Sequence, residues 1–450
     1  MRSLRLVPAL LLATAACGGD SAVEPAIVAG GGIHDPGIDG VVHVFVIDED
    51  SDQPIAGATV KVGDTEGTTD ATGLFTVKDV TGPQTILARA AGHAPAMWIG
   101  ADGGNVTIPL TTTPTPTTTP PQAQLSGTIT GWDALPPPPA NHLRIALVTT
   151  SQDPEIGNAA NEITQPPPVA NVPANACVRL PTAGSPACAW RYNTRAGTVA
   201  LGLVVGDLDT KGTATDTDDV LTITGYAVKQ PVSVTAGANQ SGLALDLPAT
   251  GSTTTASIDF GTPPAALTRV SAVGGLELGA NGILRVVNAD RAHANVVVPS
   301  LSLAAGATYE LVGIASEPVD DDTAAQSIVI RRGLTSASSL SAGTWLAPPT
   351  GLASDRVTAS FTRSGGAGPY IMELNTSAGS GKKNRAMSIA ILDDSSQVTF
   401  PTAFAPLPSG SVLLTVSTLT TASPVDLRDF SVDALVDDAT ALAGDTIILR

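Results

Sequence analysis

Gln53-Pro54-Ile55-Ala56-Gly57-Ala58-Thr59-Val60-Lys61-Val62, then Asp70-Ala71-Thr72-Gly73-Leu74-Phe75-Thr76-Val77, then Ala88-Arg89-Ala90-Ala91-Gly92, sets the grammar of this chain. Pro54 fixes φ, Gly57 accepts a positive φ, and Ala58–Val62 then alternates with the period of a short strand. Asp70 can bond its own backbone two residues on, Gly73 can sit left-handed, and Leu74–Val77 alternates afterwards, which predicts a hairpin. Short strands bounded by such turns predict an all-β protein. The rest of the chain repeats the pattern, tethers it, or adds to it.

Two patterns carry a family resemblance: Pro-x-x-Gly-Ala-x-Val over Pro54–Val60, and Thr-x-x-x-Gly-x-Phe over Thr69–Phe75. Through them residues 40–110 resemble the carboxypeptidase regulatory-like domain, a small transthyretin- or immunoglobulin-like β-sandwich. The resemblance implies a sandwich, an extracellular setting, and an accessory module with no catalytic residues of its own. The zinc-peptidase signature that the family name brings to mind is missing. His34, His43, His93, His142 and His293 are scattered, with no His-x-x-Glu or His-Glu-x-x-His.

The chain begins with Arg2 and Arg5, an apolar run from Leu6 to Leu12, and Ala13-Thr14-Ala15-Ala16 before Cys17. This has the form of a secretory signal over residues 1–16 and is too short for a spanning helix. Cys17-Gly18-Gly19-Asp20 resembles the bacterial lipobox, which implies lipidation of Cys17 and attachment to a membrane by that lipid. Thr14 departs from the pattern, and cleavage leaving a free Cys17 is the alternative. Gly18 rather than Asp after the Cys points to the outer membrane. Residues 17–39, rich in Gly, Ala and Pro, read as a flexible tether.

Charged residues make up only 14% of the chain, against a usual ~25%. Long solvated helices have little to be built from. A net charge of −18 argues against nucleic acid as a partner, because the phosphate backbone needs a basic footprint. Beyond the first sandwich, Thr111–Pro121 is a Thr/Pro spacer of polyproline character. Residues 122–248 are framed like the first module and read as a second, more divergent sandwich. Their runs Pro136–Pro139 and Pro166–Pro168 cannot be central strands, since proline lacks the ladder donor. Residues 249–256 form a second linker. Short alternating runs from Ser257 to Leu449 then predict two further β-rich modules, 257–345 and 346–450, or one large sandwich; Trp345–Thr350 marks the division.

Chemistry has few candidates. Cys177 and Cys188, in an exported chain, predict a local disulfide. The run Gly206–Asp219 puts Asp207, Asp209, Asp216, Asp218 and Asp219 between two strands, with Gly212 able to make a sharp turn. Calcium is one reading and a solvated acidic loop the other. The EF-hand spacing is absent, and Lys211 opposes a cation. Asp48, Glu49, Asp50 and Asp52 pose the same choice. No Gly-x-Ser-x-Gly elbow occurs, and Ser380-Gly381-Lys382-Lys383 lacks the other parts of a phosphate loop. The expectation is therefore a non-catalytic exported lipoprotein, working as an adhesion, scaffold or binding module with an envelope protein or polysaccharide as partner. The alternative is a carbohydrate-binding surface module, and behind it a hydrolase with an unrecognised acidic site. Sugar platforms stack rings on exposed aromatics, whereas Trp98, Trp132, Trp190 and Trp345 fall about one to a module and read as core plugs.

Overall fold

A computed structural model describes residues 37–49, 51, 53–113, 122–151, 174–181, 187–213, 219–319, 323–365, 369–378, 382–422 and 439–450. No α-helix occurs among them. The first module has seven strands: β1 (Gly40–Asp48), β2 (Thr59–Val62), β3 (Thr65–Thr68), β4 (Leu74–Val80), β5 (Gln84–Arg89), β6 (Ala96–Ala101) and β7 (Asn105–Leu110). One sheet runs β4-β1-β7, with β7 parallel to β1; the facing strands run β3-β2-β5-β6. Period-two alternation builds the core directly. Val42, Val44 and Val46 point inward from β1 and are fully buried with Val60, Ile86 and Ile108. Burying such side chains contributes ~1.5–3 kcal/mol each.

The same wiring recurs. The second module comprises β8 (Gln122–Thr130), β9 (His142–Thr150), β10 (Ala176–Arg179), β11 (Cys188–Arg195), β12 (Gly197–Asp209), β13 (Val220–Val234) and β14 (Asn239–Asp246). Its sheets run β11-β8-β14 and β10-β9-β12-β13, strand for strand the order of the first, with the last strand again parallel to the first. The third has β15 (Thr253–Ser257), β16 (Arg269–Glu277), β17 (Ile283–Asp290), β18 (Asn295–Pro299), β19 (Thr308–Ser316) and β20 (Gln326–Leu334). Its order β17-β16-β19-β20 opposite β15-β18 is the same plan. The seventh strand has shrunk to one parallel bridge between Asp259 and Ser341.

The fourth module contains β21 (Thr350–Ser354), β22 (Thr358–Thr362), β23 (Tyr370–Ala378), β24 (Lys382–Ile391), β25 (Gln397–Thr399), β26 (Val412–Thr421) and β27 (Ala439–Leu449). Here β22 to β27 play the parts of the first six strands. The place of the seventh is taken by β21, which precedes β22 and pairs with it antiparallel.

These modules share sheets. Strand β20 pairs with β27, and β24 pairs in parallel with β6, so the four-stranded sheets of the third, fourth and first modules fuse into one 12-stranded sheet. The first module therefore docks on the last. Leu87 and Met97 are buried in the core of the fourth module, and the Arg89 guanidinium lies 4.8 Å from the Phe404 ring centroid. Gly100, at φ 77°, makes room for this contact: a Cβ there would lie 2.5 Å from Cβ of Asp393.

Some expectations differ in detail. Asp70–Gly73 makes the turn its sequence demands, Asp70 Oδ1 accepting from the Thr72 and Leu74 amides at 2.8 and 3.1 Å. The turn carries the chain from one sheet to the other, because β3 and β4 lie in different sheets, and so it is not a hairpin. Residues 253–256, the second half of the stretch that reads as a linker, form most of β15, which ends at Ser257. Thr111–Thr113, which read as the start of a free spacer, are tied down, with Thr113 N donating to Gly92 O at 2.7 Å and Ala94 N to Thr111 O at 2.8 Å. Strand β16 is not apparent from sequence, since its alternation breaks at a register shift between Gly274 and Gly275. Of the alternating runs between Ser257 and Leu449, the one at residues 430–435 lies outside the described residues.

Candidate functional site

The acidic hairpin joins β12 to β13 at one end of the second module. Antiparallel register places Asp207 of β12 opposite Arg144 of β9. The guanidinium binds the carboxylate with both arms, Nε to Oδ1 at 2.7 Å and Nη2 to Oδ2 at 3.0 Å, the strong fork geometry of a charge-assisted pair. This pairing raises the Arg144 pKa further. Asp209 turns to Lys211, accepting from its ammonium and from its backbone amide at 2.9 Å, and His142 Nε2 lies 4.0 Å away. Those hydrogen bonds from Lys211 hold the Asp209 carboxyl below its usual range. Asp219 is half-buried just before β13, and Asp216 and Asp218 lie outside the described residues. Two of the five acids thus already have cationic partners. Among the described residues no three His, Cys, Asp or Glu side chains are grouped to hold a metal ion.

A larger polar cluster forms where the first module meets the fourth. Glu49, just past β1, and Thr111, just past β7, both reach Arg385 of β24. Nη1 of Arg385 donates to Glu49 Oε1 at 3.2 Å and to Thr111 Oγ1 at 2.9 Å, while Nη2 donates to Glu373 Oε1 at 2.6 Å. Arg385 also lines a small cavity of about 30 Å³ with Glu49, Trp98, Pro109 and Thr111, room enough for a water molecule. Next to it, Asp48 accepts from the Ser51 amide at 2.9 Å and from Thr112 Oγ1 at 2.8 Å, with His93 Nε2 at 2.9 Å. Burial pushes the Asp48 carboxyl up, but the hydrogen bonds from Ser51, Thr112 and His93 together outweigh it and hold the pKa at about 2. Of the four acids in the Asp48–Asp52 loop, Asp48 is therefore committed within the first module and Glu49 to the seam; Asp50 and Asp52 lie outside the described residues.

A third charged group sits inside the third module. Glu310 of β19 is fully buried, with Oε1 bound by Arg285 Nε at 3.0 Å and Nη2 at 2.8 Å, and with Arg332 Nε 3.6 Å from Oε2. Burial raises its pKa and Arg285 opposes the rise.

No family model matches this chain, and no curated protein is detectably similar to it in sequence. Solved structures share a distant likeness. The Bacillus anthracis TIE protein matches over 64% of this chain at 8% identity and a TM-score of 0.15, and the match spans 47% of that protein, under half its length. A Bacteroides uniformis protein provisionally assigned to carbohydrate binding is matched over its full length and 43% of this chain, at 12% identity and a TM-score of 0.14. BcpA, the major pilin subunit of Bacillus cereus, matches over 63% of this chain and 91% of its own, at 12% identity and a TM-score of 0.14.

The aromatic side chains bear on the sugar-binding alternative. Trp98, Trp132, Trp190 and Trp345 are all buried, as are Tyr192, Tyr226, Tyr309 and Tyr370. Trp345 donates its indole N–H to Phe260 O at 2.7 Å, so its polar edge is satisfied inside the core. Cys177 and Cys188 are joined with a Cα–Cα distance of 5.7 Å. The bond ties β10 to β11 and thus bridges the two sheets of the second module. Cys17 lies outside the described residues. Among those described, no helix is long and apolar enough to cross a membrane. Sequence reasoning misses Arg144, His93, Arg385 and Arg285. The only signal for the arginines is their scarcity, which makes each one worth pairing with an acid.

Proposed function

We propose that this chain is an exported, non-catalytic lipoprotein of the cell envelope, anchored by a lipid on Cys17, whose sandwich modules act together as a binding scaffold. One observation carries the reading. The networks around Arg385, Arg144 and Arg285 join two modules or pair an acid with an arginine inside a sheet, so their charges hold the body together. Repetition of one seven-strand plan supports it too, since tandem sandwiches extend a surface without requiring a cleft. The resemblance of residues 40–110 to an accessory domain points the same way. Protein rather than polysaccharide is the preferred partner class, because the buried tryptophans leave no indole platform for sugar rings.

Mass spectrometry of the mature N-terminus tests the anchor: a Cys17 peptide carrying diacylglycerol, recovered from the membrane fraction, is expected. An unmodified peptide containing Cys17 from the soluble fraction overturns it. A glycan array probed with the full chain tests the partner class, and saturable binding to any polysaccharide moves the reading to the sugar-binding alternative.

A further inference from the structure

The four modules do not treat their sixth strands alike. In the first, β6 pairs with β24; in the third and fourth, β20 and β27 pair with each other. Among the described residues only β13, the sixth strand of the second module, pairs with its own neighbour β12 and nothing else. Part of its free edge is covered. The Tyr226 amide donates to Ser252 Oγ at 3.3 Å, and Pro248 packs against Gly225. Among the described residues no strand but β12 pairs with the end from Val220 to Thr224.

Side chains beside that edge are those of a seam. On the outer face of the sheet the register aligns Leu143, Leu208 and Leu221 in one row, Ile145, Gly206 and Ile223 in the next, and Leu147, Val204 and Tyr226 in a third. Leu221 is 52% exposed and Val220 48%. These rows continue into an interface already formed: Leu284 of the third module fills the space over Gly202, and Tyr226 Oη donates to Val297 O at 2.9 Å. An unprotected strand edge flanked by apolar side chains is a template for another strand.

The β20–β27 seam shows what fits. It joins sixth strand to sixth strand, antiparallel, through only four residue pairs, Gln326↔Gly444 to Val329↔Ala441. On one face Ile314, Ile328 and Leu442 pack against Val312, Ile330 and Ala439, beside a cavity that Ile328, Leu442 and Gly444 also line. We propose that β13 makes the same junction with β13 of a second copy of this chain, antiparallel about a two-fold axis at Thr222. Leu221 of each copy then meets Ile223 of the other, and Val220 meets Thr224. The two four-stranded sheets become one eight-stranded sheet. A contact of this kind is self-complementary and closes at the dimer. It is independent of the lipid anchor and of the absence of catalysis.

Sedimentation of the full chain over a range of concentrations tests it. The expected result is a reversible shift from 45.1 kDa toward twice that mass, strengthened by salt because each copy carries a charge of −18. Leu221→Lys places a solvated charge in the junction and should weaken dimerisation at least about tenfold, with the unfolding transition unchanged. Thr222→Cys should give a reducible crosslinked dimer, since facing Cβ atoms in such a pair lie ~4.5–5.5 Å apart. A monomer at all concentrations overturns the proposal, and so does a dimer that Leu221→Lys leaves intact. If Leu221→Lys does not fold, Thr224→Lys takes its place with the same expected loss.

Discussion

Glu49 and Arg385 meet across the junction of the first and last modules, the two carboxylate oxygens lying 3.2 and 3.3 Å from Nη1, although 336 positions separate them in sequence. Glu373 holds the other arm of the same guanidinium. Replacing Arg385 by Met leaves two acids without their shared cation and should cost about 2–3 kcal/mol, measured by denaturant unfolding. Protease cleavage after residue 113 should accelerate in parallel. Adding Glu49→Gln and Glu373→Gln should return much of the loss; if it does not, the cluster does not fasten the junction.

Gly100 tests the same junction from its backbone. Gly100→Ala places a methyl 2.5 Å from Cβ of Asp393 at a φ of 77°, strained on both counts. A loss of about 1–3 kcal/mol is expected. Truncating Asp393 to Gly should recover the steric part and leave the backbone part.

Asp48 makes the stability depend on pH. Its folded pKa of about 2 lies below the ordinary value of 3.8, so its contribution is fully present above pH ~4 and is lost as pH falls through about 2. Asp48→Asn should therefore cost on the order of 1–2 kcal/mol near pH 6. The gap between wild type and variant should narrow between pH ~4 and ~2 and close below that. A difference that stays constant through this window contradicts the assignment.

Reduction of Cys177–Cys188 releases a link between the two sheets of the second module. At a sequence separation of 11, a loss of about 3 kcal/mol is expected. Calorimetry with and without reductant should show the effect in one transition, that of the second module.

Asp207 and Asp209 give the calcium question a direct readout. Because Arg144 and Lys211 occupy them, millimolar calcium should leave the unfolding temperature unchanged, and Asp207→Ala should destabilise by about 1–3 kcal/mol through the orphaned guanidinium. A calcium-dependent rise of several degrees would show that the hairpin rearranges to bind the ion.

How much of this can be read from the sequence follows from what each feature depends on. Strands such as β1, β2 and β4 are legible because Val42, Val44 and Val46 alternate with His43 and Phe45, and Val60 and Val77 sit between polar neighbours, all against a single core. Strand β13 is legible only at Val232–Val234, since Lys229-Gln230-Pro231 reads as a break and the outward face of its first half is as apolar as the inward one. The junction of β24 with β6 leaves no trace in the sequence, because backbone groups make it and almost any side chain serves. Arg144 and Asp207 are 63 positions apart, and only the antiparallel register reveals them as a pair. The acids alone suggest a cation, and two of them, Asp207 and Asp209, meet cations of the chain itself, Arg144 and Lys211.

The parallel pairing of β6 with β24 also constrains how the protein is made. Ala96–Ala101 emerges early and stays an uncapped edge until Lys382–Ile391 has been synthesised and delivered. A long interval with an exposed strand favours mispairing and slow maturation. A chaperone that shields strand edges during transit should therefore raise the yield of the intact chain far more than that of residues 1–113 alone.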